Sequence, residues 1–454
     1  MDKFNLVIFW SVVFIGLECS LIFLKANKAN KVDLFELIWF FIICFNLYMV
    51  VTPLLLFLKG ADNETLSEFL KLSMLTLIFL LFGYLTVYFA EISKFNFIKN
   101  VTKDKKSKIL NVSNRKKFQL SLFLILITSL FLLSYLESIN LYYGSISFYL
   151  RGGHNIHPIS ESNLIGSFYG FVGVTGFSSI IIIDYIFSKY IHHIGRFFII
   201  FEILTFIIFE LWMGNRNNVL FLILPLLVIR NYNISRFRPF WIILILLVFI
   251  IGGELLGLIR QILVFNDFQQ LKETLTLFPQ NFLIKGEFTT SYNVFSIFRN
   301  SSLFKDSYFY GRTYIIDPLC NFIPRFLFPN RPKTIAQEFS FAYYGPGVNL
   351  GLGFSPIVEA IMNFDVIGIV IVFWTIGISL NLLYLRFIKY YYLENTYKRY
   401  LWLSIYSLIF PISVNFFRID FATLFKLLFM RVLWIYIFLN IVRKILRNYE
   451  DKGT

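Results

Sequence analysis

Residues 210–228 read ELWMGNRNNVLFLILPLLV, two apolar runs meeting at the hinge Gly214-Asn215-Arg216-Asn217-Asn218. Five residues leave no room for a folded domain around the arginine, so the role of the hinge depends on the flanking runs. They belong to a chain that is 57% hydrophobic, where soluble domains average roughly 45–50% apolar. About 20 apolar residues cross a hydrocarbon core of roughly 30 Å. Eleven runs fit that reading, at 4–24, 34–58, 72–90, 120–136, 164–188, 197–213, 219–229, 240–258, 364–385, 400–417 and 421–441, the seventh extending into its flanks. The expected fold is an all-α polytopic membrane protein with about eleven transmembrane helices (10–12). Residues 1–258 would hold helices 1–8 with short loops, 259–362 one large extracytoplasmic loop, and 363–454 helices 9–11 with a cytoplasmic tail. Only Met1-Asp2-Lys3 precedes the first run and no small-x-small cleavage site follows it, so it reads as a retained span.

A net charge of +15 invites a nucleic-acid reading, but its distribution argues otherwise. The connections 25–33, 91–119, 189–196, 230–239, 386–399 and 442–454 hold 25 of the 42 Lys and Arg. The N-terminus, 59–71, 137–163, 214–218 and 418–420 hold 6. Enrichment of Lys and Arg marks the cytoplasmic side of short loops. The charge is a topology signal: N-terminus outside, C-terminus inside, and no nucleic-acid partner expected. Three cysteines, Cys19, Cys44 and Cys320, can build neither a disulfide framework nor a CxxC site.

Two outer segments are large enough to hold chemistry. Residues 137–163 contain Arg151-Gly152-Gly153-His154-Asn155-Ile156-His157. Residues 259–362 begin with a stretch of helical apolar spacing, expected along the membrane surface. They continue with turn signals at Phe328-Pro329-Asn330-Arg331-Pro332, Gly345-Pro346-Gly347 and Gly351-Leu352-Gly353. No GxxxxGK[ST], HExxH or Asp-x-Asp occurs. An enzyme of this kind would work outside, without ATP, cofactor or metal, on a substrate already activated.

Arg216 lies at the outer end of span six and Arg260 just past that of span eight, with Arg151, Arg312, Arg325 and Arg331 also outside. A guanidinium fork matches phosphate oxygens bidentately; the same residues could equally anchor lipid head groups. Lys426 can snorkel outward, whereas Arg431 lies ten residues into the last run, about 15 Å deep. Its partner would be an acid within the spans (Glu18, Asp184, Glu202, Glu210 or Glu254), or else it lines a substrate path. His192 and His193 sit in a basic turn; His154 and His157 could supply a base or be incidental.

Gly214-Asn215-Arg216 after an apolar run resembles the Gly-x-Arg of bacterial O-antigen and capsule repeat-unit polymerases (the Wzy type). So do Ile323-Pro324-Arg325, Pro329, Arg331-Pro332-Lys333, Gly351-x-Gly353, Ser355-x-x-x-Glu359, Asn363 and Gly368. The resemblance covers roughly residues 205–385; the hinge departs from it by carrying asparagines around Arg216. It implies a GT-C-like, multi-pass protein of the bacterial cytoplasmic membrane, its site facing the extracytoplasmic side. The implied reaction joins undecaprenyl-diphosphate-linked oligosaccharide repeat units into O-antigen or capsular polysaccharide. Membrane lipids, a chain-length regulator and a flippase are the implied partners. Arg216, Arg260, Arg325, Arg331 and Arg151 would hold the diphosphate, the hinge presenting Arg216 at head-group depth. Glu359 would take the acceptor's proton, with His154 or Asp317 as alternatives; Glu359 could instead be a helix-start residue favoured by the dipole. The rival readings are a flippase for the same lipid-linked oligosaccharide, an O-antigen ligase and a membrane scaffold.

Overall fold

The computed structural model describes residues 10, 13–18, 35–58, 60, 62–101, 113–143, 162–213, 216–233, 287–301, 304, 308–325, 327–345, 353–393 and 396–447. Among these residues all regular structure is helical. The helices are α1 (Leu37–Leu58), α2 (Asn63–Val101), α3 (Asn114–Tyr143), α4 (Ser162–Ile186), α5 (His193–Met213) and α6 (Arg216–Asn233). They continue as α7 (Thr290–Asn300), α8 (Arg312–Asn321), α9 (Ile335–Tyr344), α10 (Pro356–Leu393), α11 (Thr396–Asn415) and α12 (Phe421–Arg447).

Six helices are long and apolar enough to cross a membrane: α1, most of α2, α3 and α4, Pro356–Tyr392 of α10, and Phe421–Leu446 of α12. The runs at 197–213, 219–229 and 400–417 coincide with α5, α6 and α11. Those at 4–24 and 240–258 fall largely or wholly outside the described residues. Within 259–362, the described part is helical at α7, α8 and α9. The run at 364–385 begins early, because α10 starts at Pro356 and takes in Glu359. In α1, Pro53 has no amide for the Met49 carbonyl, and the helix widens to a π turn at Leu47–Val51.

The side chains are sorted for a hydrocarbon solvent. On α5, Phe197, Phe201, Leu204 and Ile208 form one exposed stripe, while Glu202 and Glu210 are buried. Glu202 accepts the Ser129 hydroxyl of α3 at 2.6 Å. Leu122, Leu126, Leu130 and Leu133 expose a matching stripe on α3. In water the order would be reversed; in lipid it is what burial of charge requires. The molecule is a membrane-embedded helical protein.

Packing brings together the connections that the charge pattern puts on one side. α2 runs along α10, α3 along α4, α6 along α11, and α12 lies against α4 and α8. At one end Arg299 pairs with Glu68 at 2.6 Å, and the hinge residue Asn217 accepts from Arg418. At the other end lie basic connections: Lys116 Nζ donates to the Leu446 carbonyl at 2.6 Å, and Arg443 stacks on Tyr397.

Candidate functional site

The site is built at the end bearing Arg418, where the starts of α8 and α10 meet the turn 416–420 between α11 and α12. Asn363, fully buried, is the joint. Its Oδ1 accepts the Gly311 amide (2.9 Å), and its Nδ2 donates to Thr313 Oγ1 (2.8 Å) and to the Glu359 carbonyl (2.7 Å). Directly after it the helix breaks, with Asp365 at φ 54° and ψ −154°. The break folds Gly368 onto the first turns of α10, so that a Cβ there would stand 2.1 Å from the Ala360 carbonyl oxygen. Gly368→Ala is accordingly expected to lower stability by roughly 1–3 kcal/mol, the usual cost of overpacking. Thermal unfolding in detergent measures it, and an unchanged midpoint would mean the break yields freely.

The turn 416–420 is held from above by Gly353, whose φ of 68° suits glycine and whose Cβ would meet the Arg418 carbonyl at 2.7 Å. The Phe354 amide donates to that same carbonyl at 2.8 Å. Ser291 of α7 donates to the Phe417 carbonyl. Asp420 then caps α12, its Oδ1 accepting the Thr423 amide at 2.7 Å. Glu359 Oε2 accepts the next free amide of that helix, Phe421, at 3.0 Å. The positive end of α12 therefore faces two carboxylates.

Asp317 arrives from α8. It is 3% exposed and Glu359 2%, and its charge acts on Glu359. Glu359 Oε1, both Asp317 oxygens and Ser355 Oγ have no hydrogen-bond partner. Arg312 is oriented by Glu338, Nη2 to Oε2 at 2.7 Å, and by stacking on Phe309. Its Nε stands 3.3 Å from Asp317 Oδ1, a charge contact without hydrogen-bond alignment. Burial raises the Asp317 pKa; Arg312 opposes the rise while Glu338 and Asp420 add to it, leaving it at about 6. A buried carboxylate with open lone pairs, ionised above that pH, can take a proton from a hydroxyl. Among the described residues no group of three His, Cys, Asp or Glu is placed to hold a metal ion.

A second layer lies beneath. Arg418, 8% exposed, donates through Nε to Asn415 Oδ1 at 3.0 Å and through Nη2 to Asn217. Asn218 donates to Glu210 Oε2 at 3.0 Å. The hinge asparagines thus fix the start of α6, whose first residue is Arg216. Deeper still, Arg431 is fully buried, donating to Ser178 Oγ (3.2 Å) and the Leu427 carbonyl (3.1 Å) and stacking on Phe221. Glu210 supplies its opposing charge.

The sequence candidates divide accordingly. Glu359 and Asp317 come together. Arg331 donates to the Asn321 and Ile323 carbonyls (3.0 and 2.7 Å), finishing α8. Arg325 donates to Gln337 Oε1 at 2.9 Å. Burial, then repulsion from Arg325, lowers the Arg331 pKa, and Lys426 lies in the field of both arginines. The Arg216 side chain, Arg151, Arg260 and His154 lie outside the described residues. Sequence reasoning missed Arg312 as a partner of Asp317, and missed Arg418 and Asp420. Their signal was two opposite charges inside a three-residue connection between apolar runs. Compared with protein families, curated proteins and solved structures, the chain matches none.

Proposed function

We propose that this protein joins undecaprenyl-diphosphate-linked oligosaccharide repeat units, as a metal-independent glycosyltransferase at the outer face of a bacterial cytoplasmic membrane. Its full set of spans would be about eleven, in a GT-C-like arrangement. One observation carries the reading: the residues of the polymerase-like stretch (Ser355, Glu359, Asn363 and Gly368) build one buried cluster with Asp317, with half-buried Gly353 at its edge. That cluster has open carboxylate oxygens beside fixed guanidinium groups.

In the proposed reaction the acceptor hydroxyl of one lipid-linked unit attacks the anomeric carbon of another. The carbon–oxygen bond to the diphosphate breaks as the new glycosidic bond forms, through an oxocarbenium-like transition state. The leaving diphosphate carries away the bonding electron pair, and arginines fixed near it stabilise that charge. The hydroxyl proton passes to a carboxylate. Asp317 takes this role, because both its oxygens are open while one oxygen of Glu359 already holds the Phe421 amide. Glu359 orients the acceptor through its remaining oxygen. Arg216 takes the diphosphate, and Asn217 and Asn218 hold the start of α6 to which it belongs.

A strain lacking the protein tests this against its rivals. Single repeat units on the surface are expected. Lipid-linked units trapped inside would point to a flippase, and long chains left unattached would point to a ligase.

A further inference from the structure

The polarity of α8 is turned inside out. Thr313, Asp317 and Asn321 recur at every fourth residue and are buried at 0%, 3% and 7%. The opposite face presents Ile315, Ile316 and Leu319 at 65%, 51% and 62% exposure, and Leu327 beyond the helix at 68%. A helix bathed in water buries the apolar face and exposes the polar one. Exposed patches of this kind mark a membrane or a protein partner.

Position decides between them. Phe322 packs on Phe425 and Phe429 of α12, with ring centroids 5.7 and 4.7 Å apart. Phe425 and Phe429 begin an exposed apolar stripe that continues through Leu433 and Tyr436 down a helix long enough to cross a membrane. The face of α8 therefore extends a surface that already meets lipid. Next to it, α10 exposes Val366, Ile367 and Ile371. Ten residues make about 15 Å of helix, half of the roughly 30 Å hydrocarbon core. Its N-terminal end lies by the start of α12, where the Tyr314 and Phe421 ring centroids are 5.3 Å apart, so α8 runs inward along that helix.

We infer that α8 is embedded in one leaflet of the bilayer, its Ile315–Ile316–Leu319 face in contact with lipid acyl chains and its Thr313–Asp317–Asn321 face turned to the carboxylate cluster. The outer segment is then partly a membrane element, and the cluster lies at lipid depth. A substrate anchored in the same leaflet would meet it without leaving the bilayer. The inference rests on packing and exposure, and holds whichever reaction the cluster serves.

Spin labels at single cysteines test it, in full-length protein whose three native cysteines are replaced by serine, reconstituted in phosphatidylcholine–phosphatidylglycerol vesicles. The positions are Ile315→Cys, Leu319→Cys, Leu433→Cys as a lipid-facing reference and Asn300→Cys, beside the exposed Arg299–Glu68 pair, as a water-facing reference. All four side chains lie at the surface of the chain, so the labels leave its packing intact. Power saturation compares collision with oxygen, which concentrates in lipid, and with a nickel chelate, which stays in water. The oxygen-to-nickel ratio at Ile315→Cys and Leu319→Cys is expected to match Leu433→Cys and to exceed Asn300→Cys several-fold. A ratio at or below that of Asn300→Cys would overturn the inference in favour of an aqueous face. Protection from both reagents would overturn it in favour of a protein cover.

Discussion

Asp317→Asn is expected to remove nearly all long glycan, a loss of roughly 10²–10⁴-fold, the range for a missing general base. The amide keeps the shape and cannot accept the proton. Because the Asp317 pKa is raised to about 6 by burial, wild-type activity should fall as pH drops through that value, where the carboxylate becomes protonated. The residual activity of Asp317→Asn should lack this acidic limb. Glu359→Gln is expected to reduce polymer less, since an amide oxygen still accepts the Phe421 N–H. In vitro polymer yield against pH, with lipid-linked repeat units as substrate, measures all three. An acidic limb surviving unchanged in Asp317→Asn would move the base elsewhere, to Glu359 or His154.

Arg418→Lys should be nearly as damaging as Arg418→Ala, with polymer lowered more than tenfold in both, a loss of about 1.4 kcal/mol or more in transition-state stabilisation. The guanidinium reaches Asn415 with Nε and Asn217 with Nη2 at once. A lysine offers a single ammonium and cannot span both. Its loss would release the start of α6, and with it the placement of Arg216. Protein level and thermal midpoint, measured alongside the glycan ladder, separate this from collapse of the fold. A full ladder from Arg418→Lys would show that the hinge needs no such clamp.

The helices were legible because apolar runs of hydrocarbon length are stable as helices in lipid and too oily to leave in water. Their ends were less so. α10 begins eight residues before its apolar run, since Pro356 through Asn363 form a helical stretch capped by the break at Asp365. Glu359, Ser355 and Asn363 were found through the stretch that carries the resemblance and Asp317 as an alternative base, whereas Arg418 and Asp420 were not found. Thr313, Asp317 and Asn321 share one face of α8, but a sequence cannot say that this polar face is the buried one. Asp420 and Arg418 occupy a connection too short to look like a site. They matter because α12 starts there and its free amides draw carboxylates in. Arg331 was read as an anion ligand from its residue type. Its guanidinium is engaged with the Asn321 and Ile323 carbonyls at and just past the end of α8, a task that arginine performs as readily near helix ends. Arg431 was read either as the partner of an acid within the spans or as lining a substrate path. It is fully buried, donating to Ser178 and the Leu427 carbonyl, with the charge of Glu210 acting on it.

Reconstitution tests the central claim most directly. Purified protein in vesicles or nanodiscs, given undecaprenyl-diphosphate-linked repeat units and no nucleotide or added metal, should form glycan longer than one unit. It should release one undecaprenyl diphosphate for each linkage made, and Asp317→Asn protein should form neither product. Transfer of the lipid-linked units across the vesicle membrane, with no linkage formed and no undecaprenyl diphosphate released, would contradict the account.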